Sequence, residues 1–245
     1  MHNLNHLRVL NTRPEQQASS LTQAIEEAGG ISVHLPLLEI KPIPIQTKLN
    51  NISAAIFTSP NAAHCFFASV SPQIWPHEIQ IFAIGQGTHQ ALMHYGLSSA
   101  TCPKQANSEH LLMLDALQHR QIQTKKILLI KGQHGRTLIQ TELTARGADV
   151  DICEVYQRVL PHHPKKRIET LWHEDAVDII LITSETALVH LFELFAKQAH
   201  AWLCSKPYVV ISERLRQAAH KHGIQTVIVS SYDRIIHQLL DYSLS

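Results

Sequence analysis

The sequence predicts an α/β protein with two similar doubly wound parallel-sheet domains, joined by two extended connectors with a cleft between them. Short apolar runs alternate with amphipathic stretches along almost the whole chain, as in sheets whose parallel strands are linked by crossover helices. The pattern repeats after about 120 residues, the length of a whole domain. The 245 residues, 44% of them hydrophobic, suffice for one or two domains with real cores.

Apolar runs in the first repeat predict five strands: Leu7–Asn11, Ile31–Leu38, Ala54–Thr58, Ile79–Ile84 and Leu97–Thr101. Thr12-Arg13-Pro14-Glu15 matches a capping box, which predicts a helix ending at Gly29-Gly30. Pro60 suits the first turn of a second helix. Two further helices are predicted, one opened by Gly85-Gln86-Gly87-Thr88 and closed by Gly96, the other over Ser108–His119.

The second repeat predicts five more strands: Lys126–Lys131, Asp149–Val159, Asp178–Thr183, Tyr208–Ser212 and Ile224–Val229. The predicted helices are Arg136–Arg146, Glu185–Lys197 with Ser184 as its cap, Glu213–His222 and Asp233–Tyr242.

Two long segments decide how the domains are divided. Val33–Pro44 and Asp149–Pro161 each run for about a dozen residues without a helical break, about twice the length of a typical strand. Each can serve as a strand and then continue as a connector, which would make one domain an insertion in the other. A continuous division near residue 122 fits the pattern as well.

Composition excludes several classes of protein. Lys plus Arg number 21 and Asp plus Glu 20, which argues against a nucleic-acid partner. No secretory signal or run of about 18 apolar residues is present, so we expect no membrane partner and a cytoplasmic location. The four cysteines and 18 histidines form no metal-binding motif, so no metal site is expected.

Hydroxyl side chains recur where predicted strands meet helices. They are Thr12, Thr58, Ser59, Thr88, Ser108, Thr183, Ser184 and Ser212. The carboxyl edge of a parallel sheet is where doubly wound folds bind ligands, and helix N-termini there favour anions. Each hydroxyl is also a good helix cap, so the anion-binding interpretation rests on the set as a whole.

No nucleotide motif is intact. The segment beginning at Gly85 lacks the third glycine of a dinucleotide fingerprint, and Gly132-Gln133-His134-Gly135 is not a phosphate loop. Five cations near the turns are candidate carboxylate clamps or ordinary surface charges: Arg13, Lys131, Arg136, Arg158 and Arg214. Tyr156 is either a core residue or, on a connector, a proton donor in the cleft.

Seven motifs together resemble the uroporphyrinogen-III synthase family. They are VLNTRP at 9–14, PLLEIKP at 36–42, IFTSPNAA at 56–63, AIGQGTHQAL at 83–92, GADVDICEVYQR at 147–158, ITSETALVHLF at 182–192 and VVISERLRQAA at 209–219. The resemblance implies the insertion: residues 1–38 plus 160–245 as a discontinuous domain around an inserted domain, 42–157. It also implies cyclisation of hydroxymethylbilane to uroporphyrinogen III, with loss of water and inversion of the last pyrrole ring, without a cofactor.

The same resemblance supplies candidate site residues. Tyr156 matches the family's cleft tyrosine and is the candidate catalytic acid. The candidate contacts to the linear tetrapyrrole, which carries eight carboxylates, are Thr12, Arg13, Ser59, Asn61, Gly87, Thr88, Arg136, Ser184 and Ser212. At 212–215 the chain reads Ser-Glu-Arg-Leu where many members have a Gly-Pro-Thr-Thr-like turn. A monomer is expected. The alternative is a two-lobed protein that binds a small anion without catalysis.

Overall fold

The computed structural model describes residues 3–45, 49–76 and 78–244. The chain forms two compact units. Unit 1 consists of Met1–Glu39 and Val159–Ser245, and unit 2 of Ile40–Arg158. Unit 2 is therefore an insertion in the sequence of unit 1.

The described residues contain ten strands: β1 Arg8–Asn11, β2 Ile31–His34, β3 Glu39–Pro42, β4 Ala54–Phe57, β5 Gln80–Ala83, β6 Lys126–Gly132, β7 Asp149–Val159, β8 Ile179–Ile182, β9 Tyr208–Val210 and β10 Val227–Val229. They contain eleven α-helices: α1 Glu15–Glu27, α2 Pro60–Ser69, α3 Gln86–His94, α4 Ser108–Leu112, α5 His119–Ile122, α6 Leu138–Ala145, α7 Lys165–His173, α8 Glu185–Leu194, α9 His200–Ser205, α10 Glu213–Lys221 and α11 Ile235–Ser243.

Each unit is built on one five-stranded sheet. The strand order is β10-β9-β8-β1-β2 in unit 1 and β3-β7-β6-β4-β5 in unit 2. The pairs within β10-β9-β8-β1-β2 and within β7-β6-β4-β5 for which a register is defined are parallel. This confirms the predicted α/β class. The orders agree with the sequence repeat, because β2-β1-β8-β9 corresponds to β7-β6-β4-β5.

Both faces of each sheet are covered by apolar side chains. In unit 1, Leu10 and Ile180 pack in the cluster on one face, whereas Val9 and Ile179 pack in the cluster on the other. β4 and β8 are buried along their whole length. Central strands buried on both faces are the pattern expected of parallel sheets between two helical layers.

Two predicted elements of the first repeat are wrong. Leu97–Thr101 is no strand: Thr101 makes only an isolated parallel bridge to Phe82. The predicted helix Ser108–His119 is broken into α4, a 3₁₀ turn at Asp115–Leu117 and α5. Backbone carbonyls at the break have no helical hydrogen-bond partner, and side chains satisfy them instead. The carbonyl of Leu112 accepts from the Gln118 side chain at 2.9 Å and from the Arg146 side chain at 2.7 Å.

The sequence pattern missed two helices, and several predicted elements are shorter than expected. Helix α7 buries only Ile168 and Leu171, and α9 only Leu203, too few apolar positions for a clear helical period. The predicted strand Ile31–Leu38 ends at His34, and a separate strand, β3, follows at Glu39. The predicted helix Arg136–Arg146 begins at Leu138.

The capping box predicted at Thr12 is also wrong. Helix α1 has Pro14 at its N-cap position, with no side-chain cap. The Thr12 hydroxyl instead donates to the carbonyl of Leu181 at 2.6 Å. A buried hydroxyl that bonds to a neighbouring strand is unavailable to the helix start.

Candidate active site

The strongest candidate site lies at the carboxyl end of the sheet in unit 2. The chain passes from β4 to β5 on one side and from β6 to β7 on the other, so the direction of winding reverses between β4 and β6. Doubly wound folds bind ligands in the crevice at such a switch point. A pocket of about 240 Å³ lies there.

The pocket lining is polar and basic. It contains Thr58, Ser59, Ile84, Ser108, Leu129, Lys131, Gly132, Gln133, Gly135, Arg136, Ile139, Tyr156 and Arg158. Three of these side chains are basic and none is acidic, although charges nearly balance over the whole chain. A concave site with this lining favours an anionic ligand.

Tyr156 is placed in this pocket by the pairing of β6 with β7. Gly132 pairs with Tyr156 after a shift in register between Lys131 and Gly132. A Cβ atom at position 132 would lie 2.5 Å from Cζ of the Tyr156 ring, so only glycine leaves room for that ring. The tyrosine is 3% exposed. Glycine is therefore required at position 132 because the tyrosine ring packs directly against the backbone there.

Ser59 links the start of helix α2 to Tyr156. Its Oγ accepts a hydrogen bond from the backbone N–H of Ala62 at 3.0 Å and caps the helix, as Pro60 at the first helical position indicates. The same Oγ lies 3.1 Å from the Tyr156 hydroxyl oxygen. The helix cap thus holds the phenol from one side.

Arg158 contacts Tyr156 in two ways. Its Nη2 donates to the phenol oxygen at 3.4 Å, and its guanidinium carbon lies 5.7 Å from the centre of the ring. A cation beside a phenol oxygen stabilises negative charge that develops there. The Tyr156 hydroxyl therefore has two polar neighbours within unit 2.

Lys131 and Arg136 differ in exposure and in partners. Lys131 is 6% exposed, and its Nζ donates to the carbonyls of Gly135 and Arg136 at 3.2 and 3.5 Å. Arg136 is exposed and donates to a carboxylate oxygen of Glu109 at 3.1 Å. Only the second cation has an acidic partner among the ion pairs of the described residues.

The structure brings three of the predicted site residues to this pocket: Ser59, Arg136 and Tyr156. Asn61, Gly87 and Thr88 belong to unit 2 but do not line it. Gly87 is exposed, and a Cβ there would meet only Pro60 at 3.7 Å, so its backbone does not require glycine for space. Thr88 is 2% exposed.

The other four predicted contacts lie in unit 1. Thr12 is 1% exposed. Arg13 lies over the ring of Tyr232, at 5.3 Å from its centre. Ser184 and Ser212 cap α8 and α10, with Oγ atoms that accept from backbone N–H groups at 3.1 and 3.3 Å. The cap predicted at Ser184 is confirmed, and substrate contact by these four residues stays a prediction.

Sequence reasoning left several pocket residues out of the candidate site. Gly132 was considered only as part of a segment that does not match a phosphate loop. Lys131 and Arg158 were considered only as possible carboxylate clamps. The sequence did contain one signal for these residues, the pair Lys131-Gly132 at the end of a buried strand. Lysine and glycine are both unfavourable in strands, so their presence there suggests a specific structural or functional role.

Metal-binding and membrane-spanning features are absent from the described part of the chain. There, no cluster of three or more His, Cys, Asp or Glu side chains could hold a metal ion. No helix in that part is long and apolar enough to cross a membrane.

Known proteins share both sequence and fold with this chain. A profile of the uroporphyrinogen-III synthase HemD family matches residues 19–235. The chain is 32% identical over 235 residues to uroporphyrinogen-III synthase of Escherichia coli strain K12, covering 91% of this chain and 95% of that protein. It is 34% identical over 186 residues to the Proteus mirabilis synthase, covering 71% and 92%.

Solved structures give the same fold. Uroporphyrinogen-III synthetase from Helicobacter pylori 26695 matches with a TM-score of 0.63 at 15% identity, over 98% of this chain and all of that one. A mutant uroporphyrinogen III synthase from Thermus thermophilus matches with a TM-score of 0.60 at 13% identity, over 97% and 98%. The family profile and the sequence relatives confirm the resemblance noted in the motifs: the chain belongs to the uroporphyrinogen-III synthase family.

Proposed function

We propose that this protein cyclises hydroxymethylbilane to uroporphyrinogen III. In this reaction a terminal hydroxyl leaves as water, the last pyrrole ring is inverted through a spiro intermediate, and the macrocycle closes. Family membership supports the reaction. The observation that carries the assignment to a site is the Tyr156 hydroxyl in a pocket whose lining has three basic and no acidic side chains.

The charge of the pocket suits the substrate. A linear tetrapyrrole with eight carboxylates is strongly anionic and flexible. Lys131, Arg136 and Arg158 supply positive charge, and Thr58, Ser59 and Ser108 supply short hydroxyl donors. Holding the bilane in the one conformation that leads to the spiro route accounts for much of the catalysis, because an oriented intramolecular reaction needs little further ordering.

Tyr156 acts as the acid that assists loss of water. The Ser59 oxygen accepts from the Ala62 N–H and lies 3.1 Å from the phenol oxygen, which accepts from Arg158; either hydroxyl can donate in the Ser59–Tyr156 contact, and the proposal assigns the donor role to Ser59. Both contacts leave the phenol hydrogen free for the departing oxygen of the substrate. The C–O bond breaks as that oxygen takes the proton, and Arg158 stabilises the charge on the phenolate. The proton that the last ring loses when it regains aromaticity restores the phenol.

The remaining predicted contacts are part of the proposal. Arg13, Asn61, Gly87, Thr88, Ser184 and Ser212 bind other carboxylates of the bilane through side-chain and backbone donors. Thr12 contributes its backbone N–H, because its hydroxyl donates to the carbonyl of Leu181. The reaction needs no metal or organic cofactor. The predicted connectors and cleft, the monomeric state and the cytoplasmic location stay predictions.

The test is incubation with hydroxymethylbilane followed by separation of the type III and type I isomers. The I isomer forms spontaneously, so the readout is the initial rate of III formation above a protein-free control. We expect III as the main product without added metal, also after dialysis against EDTA. A protein that binds the anion without catalysis gives only the I isomer, and that result would overturn the proposal.

A further inference from the structure

Lys131 is an unusual buried cation. Lysine is rarely fully buried without a charged partner, because an ammonium group that leaves water loses its hydration unless an opposite charge compensates. Lys131 is 6% exposed, and none of the ion pairs among the described residues includes it. Its Nζ donates only to the neutral carbonyls of Gly135 and Arg136 within that part of the chain.

The surrounding side chains do not supply the missing negative charge. The pocket that Lys131 lines has no acidic residue. Glu109, beside this pocket, pairs with the exposed Arg136. Lys126, at the other end of the same strand, shows the usual alternative: its Nζ lies 2.7 Å from a carboxylate oxygen of Asp151. An anion that enters the pocket would give Lys131 the partner that the protein does not.

The turn after β6 holds Lys131 at the pocket that Tyr156 also lines. The register shift between Lys131 and Gly132 interrupts the regular alternation of side chains, and such bulges re-aim side chains near functional sites. Gly135 approaches the lysine closely, since a Cβ there would lie 3.3 Å from its Cε. Lys131 and Tyr156 therefore line one pocket, the lysine held by the carbonyls of the turn and the tyrosine by Ser59 and Arg158.

We propose that Lys131 Nζ binds a carboxylate on the pyrrole ring that carries the leaving hydroxyl, and so positions that hydroxyl against Tyr156. This inference rests on the proposed function and assigns a specific task to Lys131. The carboxylate is the counter-ion of the buried ammonium. Before the substrate binds, the backbone carbonyls of Gly135 and Arg136 keep the ammonium in place. Lys131 is a binding and positioning residue, and the proton still comes from Tyr156.

The test compares four variants with the parent protein, using hydroxymethylbilane as the substrate. Lys131→Met and Lys131→Gln remove the charge, and the Gln amide can still donate to the turn carbonyls. Lys131→Arg keeps the charge, and Lys126→Met is the matched control on the same strand. We measure kcat and KM for formation of the III isomer at several salt concentrations, together with thermal melts.

The neutral variants should raise KM about tenfold or more, since a charge-assisted hydrogen bond to the substrate is lost. Their KM should depend less on salt than that of the parent, because one screened attraction is gone. Lys131→Arg should keep most of the affinity, and Lys126→Met should match the parent. Without substrate the neutral variants should melt at or above the parent temperature, because an uncompensated buried charge has been removed.

Two results would overturn the inference while leaving the proposed function intact. One is a parent that forms III while a folded neutral variant keeps KM within about twofold of it. The other is an equal rise of KM, with the same change in salt dependence, for Lys126→Met. If Lys131→Met fails to fold, Lys131→Gln decides by the same criteria. A parent that forms no III contradicts the proposed function itself.

Discussion

Corresponding strands of the two units end in chemically different ways. After β1 in unit 1, the Thr12 hydroxyl donates to the carbonyl of Leu181 at 2.6 Å, and the side-chain amide of Asn11 donates to Thr22 Oγ1 at 3.2 Å. At the end of β6 in unit 2, Gly132 leaves space for a tyrosine ring, and Lys131 has no acidic partner in the described chain. The Asn11 and Thr12 side chains thus find partners within unit 1, whereas the end of β6 in unit 2 places a lysine without an acidic partner in the described chain at a pocket.

The buried tyrosines of the two sheets repeat the contrast. Tyr208 on β9 is 0% exposed, its hydroxyl has no hydrogen-bond partner among the described residues, and burial raises its pKa. Tyr156 on β7 is nearly as buried, but its hydroxyl contacts Ser59 and Arg158 and reaches a pocket. Similar strands and similar burial thus give a core hydroxyl without a partner in one unit and a hydrogen-bonded hydroxyl at a pocket in the other, which is the basis of the role proposed for Tyr156. Function depends on the neighbours of the residue more than on the fold.

The largest expected effect is that of Gly132→Ala. The new Cβ would lie 2.5–2.8 Å from the Tyr156 ring and hydroxyl, so the tyrosine must move. We expect the rate of III formation to fall about 100-fold, because a displacement of about 1 Å can have that effect on an aligned group. Overpacking should also lower the free energy of unfolding by about 1–3 kcal/mol.

Gly30→Ala is the matched control in unit 1. Its Cβ would lie 2.8 Å from a methyl group of Leu4, a similar clash in the unit that does not contain Tyr156. It should lower stability to a similar extent and leave turnover per folded molecule unchanged. Equal losses of turnover in the two variants would contradict the special role of unit 2 in the chemistry.

A smaller effect is expected from removing two equivalent helix caps. Ser59→Ala and Ser184→Ala should each lower the free energy of unfolding by about 1 kcal/mol, because each hydroxyl caps one helix. Ser59→Ala should also lower kcat about three- to tenfold, since one hydrogen bond that orients Tyr156 is lost. If Ser184 binds the substrate as the sequence predicts, its variant should raise KM with little change in kcat. An unchanged kcat for Ser59→Ala would remove Ser59 from the site.

The smallest effect concerns a histidine of unit 1. His163 Nε2 bonds to the carbonyl of Pro36 at 2.7 Å, and burial lowers the pKa of its ring below 6.5. The unfolded chain therefore binds more protons than the folded protein just below pH 6.5, and stability falls as pH decreases through this range. In His163→Gln the side-chain amide can still donate to the Pro36 carbonyl. The free energy of unfolding of this variant, measured with urea, should therefore decrease less steeply than that of the parent as the pH falls from about 7 to 5. The same slope as the parent would contradict this cause.

Much of the fold follows from local pattern. The apolar runs predict nine of the ten strands within a few residues, because central parallel strands are buried on both faces, as at Ile179–Ile182. Helices α7 and α9 were missed since partial burial leaves few apolar positions. The Thr12 hydroxyl looked like a helix cap, but a tertiary partner, the carbonyl of Leu181, takes its hydrogen. Local sequence does not encode which neighbouring strand a side chain meets.

The candidate site was predictable only where local sequence was informative. Ser59 and Tyr156 stood out by residue type and by position at a turn or long strand. The burial of Lys131 did not, because lysines at strand ends are ordinarily exposed. Its environment depends on the register shift against β7 and on the turn at Gly135, which are long-range and conformational features.

The most direct test of the central claim compares Tyr156→Phe with Tyr208→Phe. Each change removes one hydroxyl and keeps the ring, and the readouts are the initial rate of III formation from hydroxymethylbilane and the melting temperature. We predict that Tyr156→Phe lowers the rate about 10–100-fold, with stability reduced by at most about 1 kcal/mol. Tyr208→Phe should keep the parent rate and melt at the same or a higher temperature, because it removes an unsatisfied buried hydroxyl. A parent-like rate for Tyr156→Phe, or an equal loss for Tyr208→Phe, would contradict the account.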